Sequence, residues 1–170
     1  MNTMALVEEF HRAFGQPVRE KPGFPEPSSD GLKFTEQQDI RCALGFLSDA
    51  LRVFRSGAPT SRLCLRLALE TEELKELAEA FLARDLAAAL DAQVDREYIL
   101  QGTNVELGFC RQASSHERSG LAWSTFQEAI KRVHAANMAK LGPDGKPIVD
   151  CTGKVRKPEG WAAADLSDLV

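Results

Sequence analysis

Glu72, Glu73 and Glu76 fall within one narrow arc of a helix when successive residues are set about 100° apart. Leu63, Leu67, Leu74, Leu77 and Phe81 occupy a different arc of the same segment, the one that must face a core. Like charges three or four residues apart on a helix repel by about 0.2–0.5 kcal/mol per pair, and nothing basic intervenes on this arc. Further along, Asp91 and Asp95 stand one turn apart, and Tyr98 and Gly102 continue their face. Two such helices packed with their arcs facing would bring the carboxylates together. That cluster needs cations, and hard oxygen donors suit Mg²⁺ or Mn²⁺. The plainer alternative is a solvated acidic face without chemistry. Glu70 lies on the arc of the apolar stripe, so it is expected to be buried with a basic partner or to sit at the stripe's edge.

The elements that must hold these residues follow from periodicity and punctuation. Leu6, Phe10 and Phe14 predict a short helix over Met4 to Phe14. Pro17, Pro22, Pro25 and Pro27, with Gly15, Gly23 and Gly31, predict an extended arm over 15–34. Thr35 with Gln38 resembles a capping box. The helix it starts, over 36–56, carries Ile40, Leu44, Leu47, Leu51 and Phe54 as one apolar stripe and ends near Ser56-Gly57. Pro59 and Thr60 begin the acidic helix, which runs to about Arg84, and another helix spans Asp85 to Cys110. A polar break over Ser115 to Leu121 precedes a capping box at Ser124 and Gln127 and a fifth helix to about Lys140. In the tail, 142–170, turn residues around Ile148 and Val155 predict a small hairpin, and Trp161 is expected to pack back onto the body. Four or five helices with almost no strand predict an all-α helical bundle, a single domain over 1–170.

The totals narrow the partners. A net charge of -4 disfavours duplex nucleic acid, whose phosphates need a basic surface. It leaves room for a small polyphosphate, because a bound metal reverses the local field. Cys42, Cys64, Cys110 and Cys151 form no CxxC pair, which argues against a zinc ribbon and fits a reducing compartment. No charged-then-apolar leader opens the sequence, and the apolar runs fall far short of the ~20 residues of a membrane span. A cytoplasmic protein without a membrane partner is expected. His11, His116 and His134 lack the spacing of a metal cluster; His134, near Asn137, is a candidate substrate contact, with a packed structural histidine the better expectation.

Glu73-Leu74-Lys75-Glu76 matches the ExxE half of the metal motif in the MazG-like nucleoside triphosphate pyrophosphohydrolases. The run from Asp91 through Asp95 to Tyr98, followed by Gly102-Thr103, resembles that family's second acidic motif. The sequence departs from it at Ala92, where the family carries an acid, and Asp91 is placed to substitute. Val7 to His11 with Phe14-Gly15, Val133 to Lys140, Asp144 to Ile148, Gly153 to Val155 and Lys157-Pro158 are also similar to a MazG-like subgroup. The helix over 36–56 looks like an insertion.

The resemblance implies an all-α enzyme that cleaves a nucleoside triphosphate between its α and β phosphates, giving a monophosphate and pyrophosphate with two or more Mg²⁺ or Mn²⁺ ions. It makes Glu73, Glu76 and Asp95 the first metal ligands, with Asp91 joining them. Glu72 becomes a candidate for a further ion or for orienting the attacking water, so Glu72 and Glu73 are the catalytic candidates. Asn137, Lys140, Lys154, Arg156 and Lys157 are the expected partners of the outer phosphates, against a plain solubility role. Tyr98 is a candidate to line the pocket and Trp161 to stack on the base, against core packing and tail anchoring. A homo-oligomer follows too, a tetramer built from dimers, in a bacterial or phage-infected cytosol. Guanine nucleotides are the expected substrate by overall similarity, as in the phage MazZ branch, with dUTP or damaged nucleotides the alternatives within the enzyme class. A catalytically inactive helical oligomer or adaptor, supported by Ala92, is the alternative outside it, and nucleic-acid binding through the basic tail is the weakest.

Overall fold

The computed structural model describes residues 2–24, 32–110, 124–150 and 154–170. Among them lie five α-helices and no strand: α1 Thr3–Ala13, α2 Phe34–Gly57, α3 Arg62–Ala83, α4 Leu86–Leu107 and α5 Thr125–Met138, with a single 3₁₀ turn at Ser167–Leu169. The all-α expectation holds. The predicted polar break over 115–121 and the arm's residues 25–31 lie outside the described residues.

Local chemistry fixes the boundaries. Ser124 and Gln127 cap α5 reciprocally, each backbone N–H donating to the other's side-chain oxygen at 3.2 Å. Helix α2 begins earlier than its sequence pattern suggested. Glu36 reaches back to accept the Lys33 N–H at 2.8 Å, and this leaves Thr35 and Gln38 inside the helix. Ser61 starts α3 by accepting the Cys64 N–H at 3.2 Å. At its other end Arg84 turns the chain with φ 57, the left-handed region. A residue with a Cβ spends roughly 1–2 kcal/mol there, and the guanidinium, 4.3 Å above the Phe24 ring, offsets part of that. Asp85 then accepts the Ala87 and Ala88 N–H groups at 3.0 Å and starts α4.

The chain forms two compact units, Lys21–Glu106 and Met1–Glu20 with Leu107–Val170. In the first, α2 packs along α3. Their corner needs Gly57, because a Cβ there would stand 2.8 Å from Cys64 Sγ. Helices α3 and α4 share a core of Leu77, Ala80, Ala89 and Ala92, with Phe81 against it. The pairing of early α3 with late α4 marks them as antiparallel.

In the second unit α1 packs on α5, with Phe10 and Phe14 stacked at 4.1 Å and Glu9 3.4 Å from His134. The expected hairpin consists of two antiparallel bridges, Leu141 with Pro147 and Val149 with Val155. Trp161 does pack back: its indole N–H donates to the Ala136 carbonyl at 2.6 Å. Arg132 fastens the end of the tail through the Asp165 carbonyl and the Asp168 carboxylate, both at 3.0 Å. Among the described residues no helix is long and apolar enough to cross a membrane.

Candidate functional site

Glu73 of α3 feels the charges of Asp95 and Asp91 on α4 as well as those of its own helix. Glu73 is half-buried, and its Oε2 is shut away from solvent without a hydrogen-bond partner. Burial, and then the charges of Glu76, Asp95, Glu72 and Asp91 in that order, hold its pKa above the ordinary carboxylate value of 4.5. Four further carboxylates from the two helices thus act on Glu73. Glu76, Asp91 and Asp95 are exposed around it, and no ion pair reaches Glu73, Glu76, Asp91 or Asp95 among the described residues.

Glu72 differs from the rest. Arg55, from the last turn of α2, binds it at 2.6 Å. The helix that looked like an insertion therefore delivers a cation to the edge of the acidic group. Sequence reasoning missed Arg55: it lies 17 residues away on another helix, and no spacing rule links the two. Glu70 sits half-buried with no ion pair among the described residues, which places it at the edge of the stripe.

Ala92 is 2% exposed and belongs to the α3–α4 core. Asp91, its neighbour, points to the surface where the other acids are felt. The residues fit hard divalent ions in donor type, in uncompensated charge and in the orphaned oxygen of Glu73. They are gathered rather than closed: among the described residues no three His, Cys, Asp or Glu side chains are already converged on one point.

Further along the same helices, Glu106 of α4 accepts from Arg62 and Arg66 of α3, with Arg66 Nε at 2.8 Å. Hydrogen bonds from the Arg66 and Arg62 guanidiniums pull its pKa down to about 2. A depressed carboxylate stabilises the fold above its ordinary value and stops doing so as pH falls. The clamp should hold above pH 4.5 and be lost as pH drops towards about 2. Thermal melts across that window should fall more steeply for the native chain than for Glu106→Gln; parallel curves would remove the clamp from the acid response. Tyr98, on the face that continues from Asp95, is 81% exposed rather than core.

The predicted phosphate and base partners all lie in the other unit. There Lys140 donates to Asn137 Oδ1 at 2.7 Å, and the Lys140 and Lys157 ammoniums stand 5.2 and 4.5 Å from the Trp161 ring. Lys154 and Arg156 are exposed on the bridged tail, joined to it by backbone hydrogen bonds. Trp161 is therefore a tail anchor that also carries two cations.

No protein-family profile matches the sequence, and no curated protein does. Among solved structures the all-α fold is shared with a candidate NTP pyrophosphohydrolase from Exiguobacterium sp. 255-15, determined at 1.78 Å. The two chains are 24% identical, with a TM-score of 0.50 over 95% of this chain and 88% of the other. The likeness is one of fold.

Proposed function

We propose that this chain is a divalent-metal-dependent nucleoside triphosphate pyrophosphohydrolase, cleaving between the α and β phosphates to release a monophosphate and pyrophosphate. The observation that carries the reading is Glu73 Oε2, buried without a partner and under the charge of four further carboxylates. A protein keeps such a group only where something neutralises it. The shared fold with a candidate NTP pyrophosphohydrolase supports the same reaction.

Glu73, Glu76 and Asp95 would hold the ions, with Asp91 in the place that Ala92 leaves open. Bound Mg²⁺ or Mn²⁺, two or more per site, would draw charge from the triphosphate oxygens and make a nearby water more acidic. Glu72, oriented by Arg55, is set to align the attacking water and take its proton. Tyr98 is the residue proposed to line the substrate pocket. Asn137, Lys140, Lys154, Arg156 and Lys157 are the proposed partners of the outer phosphates. Guanine nucleotides are the proposed substrates, ahead of dUTP or damaged nucleotides.

The assay is direct: incubation with each nucleoside triphosphate and Mg²⁺, with products identified by chromatography. A monophosphate plus pyrophosphate is expected. The inactive-adaptor reading, which Ala92 in the core favours, predicts no product and no metal-induced rise in melting temperature. A homo-oligomer is also proposed, a dimer of dimers. Its support is an uncovered apolar stripe on α4, Leu90 at 66% and Val94 at 58% exposure; light scattering reads the mass directly.

Lys140→Ala is expected to weaken triphosphate binding about tenfold and monophosphate binding less, since one charged contact to an outer phosphate carries about 1.5–3 kcal/mol. Calorimetric titration of both nucleotides checks this, and equal losses would leave Lys140 as a support for Trp161.

A further inference from the structure

Helices α1 and α5 lie in one compact unit and wall a cavity of about 280 Å³. Leu6 and Phe10 of α1 and Ile130 and Val133 of α5 form its apolar sides, and His134 and Asn137 join them from α5. Glu9 stands 3.4 Å from His134 and ties the two helices together beside the cavity. Phe14 is 3% exposed and stacks on Phe10 at 4.1 Å, so one face of the Phe10 ring is covered and the rest of the ring is left to the cavity. Lys140 donates to Asn137 Oδ1 at 2.7 Å. An ammonium has only hydrogens to give, so the Asn137 oxygen is committed to it and the amide NH2 is what this side chain can offer a ligand. Lys140 forms no ion pair among the described residues. The same hydrogen bond therefore holds an uncompensated cation against a residue that lines the cavity.

The geometry points to this cavity as the seat of a nucleobase, purine or pyrimidine, whose phosphates pass Asn137 towards Lys140. Small-molecule sites span ~300–1,000 Å³ and pair apolar walls with a few fixed polar groups, and this cavity stands at the lower end, the size of a ring system. A flat ring with apolar faces extends the Phe14–Phe10 stack and packs on the aliphatic walls. Every base carries an oxygen or ring-nitrogen acceptor for the Asn137 NH2. An apolar ligand without an anion would leave Lys140 unused, and an inorganic anion would leave the walls unused; a nucleotide uses both. That the ligand is a nucleotide rests on the proposed reaction.

Saturation-transfer NMR with UMP and GMP, without divalent ions, tests this, and turnover of the triphosphates is measured separately. Base protons should receive more saturation than ribose protons, and in the native chain they should show intermolecular NOEs to the Phe10 ring, a readout that needs no variant. Phe10→Leu keeps an apolar side chain but loses the ring, and should weaken binding about tenfold, the scale of one base–aromatic stack. Val133→Trp, at a position 42% exposed, fills the cavity without entering a packed core and should abolish the transfer. Inorganic pyrophosphate, which needs the cations and not the cavity, should bind both variants as it binds the native chain. No base-centred transfer or no NOE to Phe10 in the native chain, or transfer that both variants keep, overturns the base site even if triphosphates are hydrolysed. Base-centred transfer that depends on Phe10 and Val133, in a chain that turns over no nucleotide, upholds the base site and fails the reaction instead.

Discussion

Glu73→Gln should cut turnover by about a hundredfold or more, since even partners that only support a metal ligand matter 10–100-fold, and the fold should stay intact. The amide keeps the shape of the carboxylate and loses its charge. That removes the repulsion of Glu76, Asp95, Glu72 and Asp91, so the metal-free variant should melt slightly above the native chain. The pH dependence has a definite sign. Because Glu73's pKa is raised, the folded chain holds the proton more tightly than the unfolded one, and stability falls as pH climbs from 4.5 through the raised value. The advantage of the variant should therefore be small below pH 4.5 and open above it. Mg²⁺ should reverse the order, raising the melting temperature of the native chain more than that of the variant. Normal turnover by Glu73→Gln would remove the residue from the site. A native melting temperature indifferent to Mg²⁺ and Mn²⁺ would remove the metals.

Ala92→Asp is expected to destabilise the chain by about 3–5 kcal/mol, the range for an unpaired charge buried in a core. Ala92 is 2% exposed against Leu77, Ala80 and Ala89, and an aspartate is too short to carry its charge out of that contact. For a chain of this size the loss corresponds to a fall of roughly 10 °C in melting temperature. No turnover should be gained in return, although the change restores an acid where the MazG-like pattern carries one. Melting by circular dichroism with and without Mg²⁺ decides the matter. A variant as stable as the native chain would mean that position 92 opens to the acids rather than to the core.

The sequence made the acidic arcs legible because helical periodicity is local and strict: once Glu72, Glu73 and Glu76 share an arc, only the facing partner is left to find. The α5 start was legible for the same reason, since Ser124 and Gln127 are three residues apart. The α2 start was misread because two boxes compete there, and the carboxylate of Glu36 wins over the amide of Gln38 by reaching the Lys33 N–H. Arg55 on Glu72, and Arg66 over Gly102, depend on how helices pair across many intervening residues. A lone glycine inside a helix reads only as a weak helix former until the guanidinium above it is seen.

Arg55 also bears on stoichiometry. The acidic group carries five negative charges when fully ionised, and the guanidinium on Glu72 cancels one of them. Four remain, which two divalent ions balance without excess. Under the proposed chemistry, substituting Arg55 would leave an odd charge that whole Mg²⁺ ions cannot match, and the helix that looked like an insertion would set how many ions the site prefers.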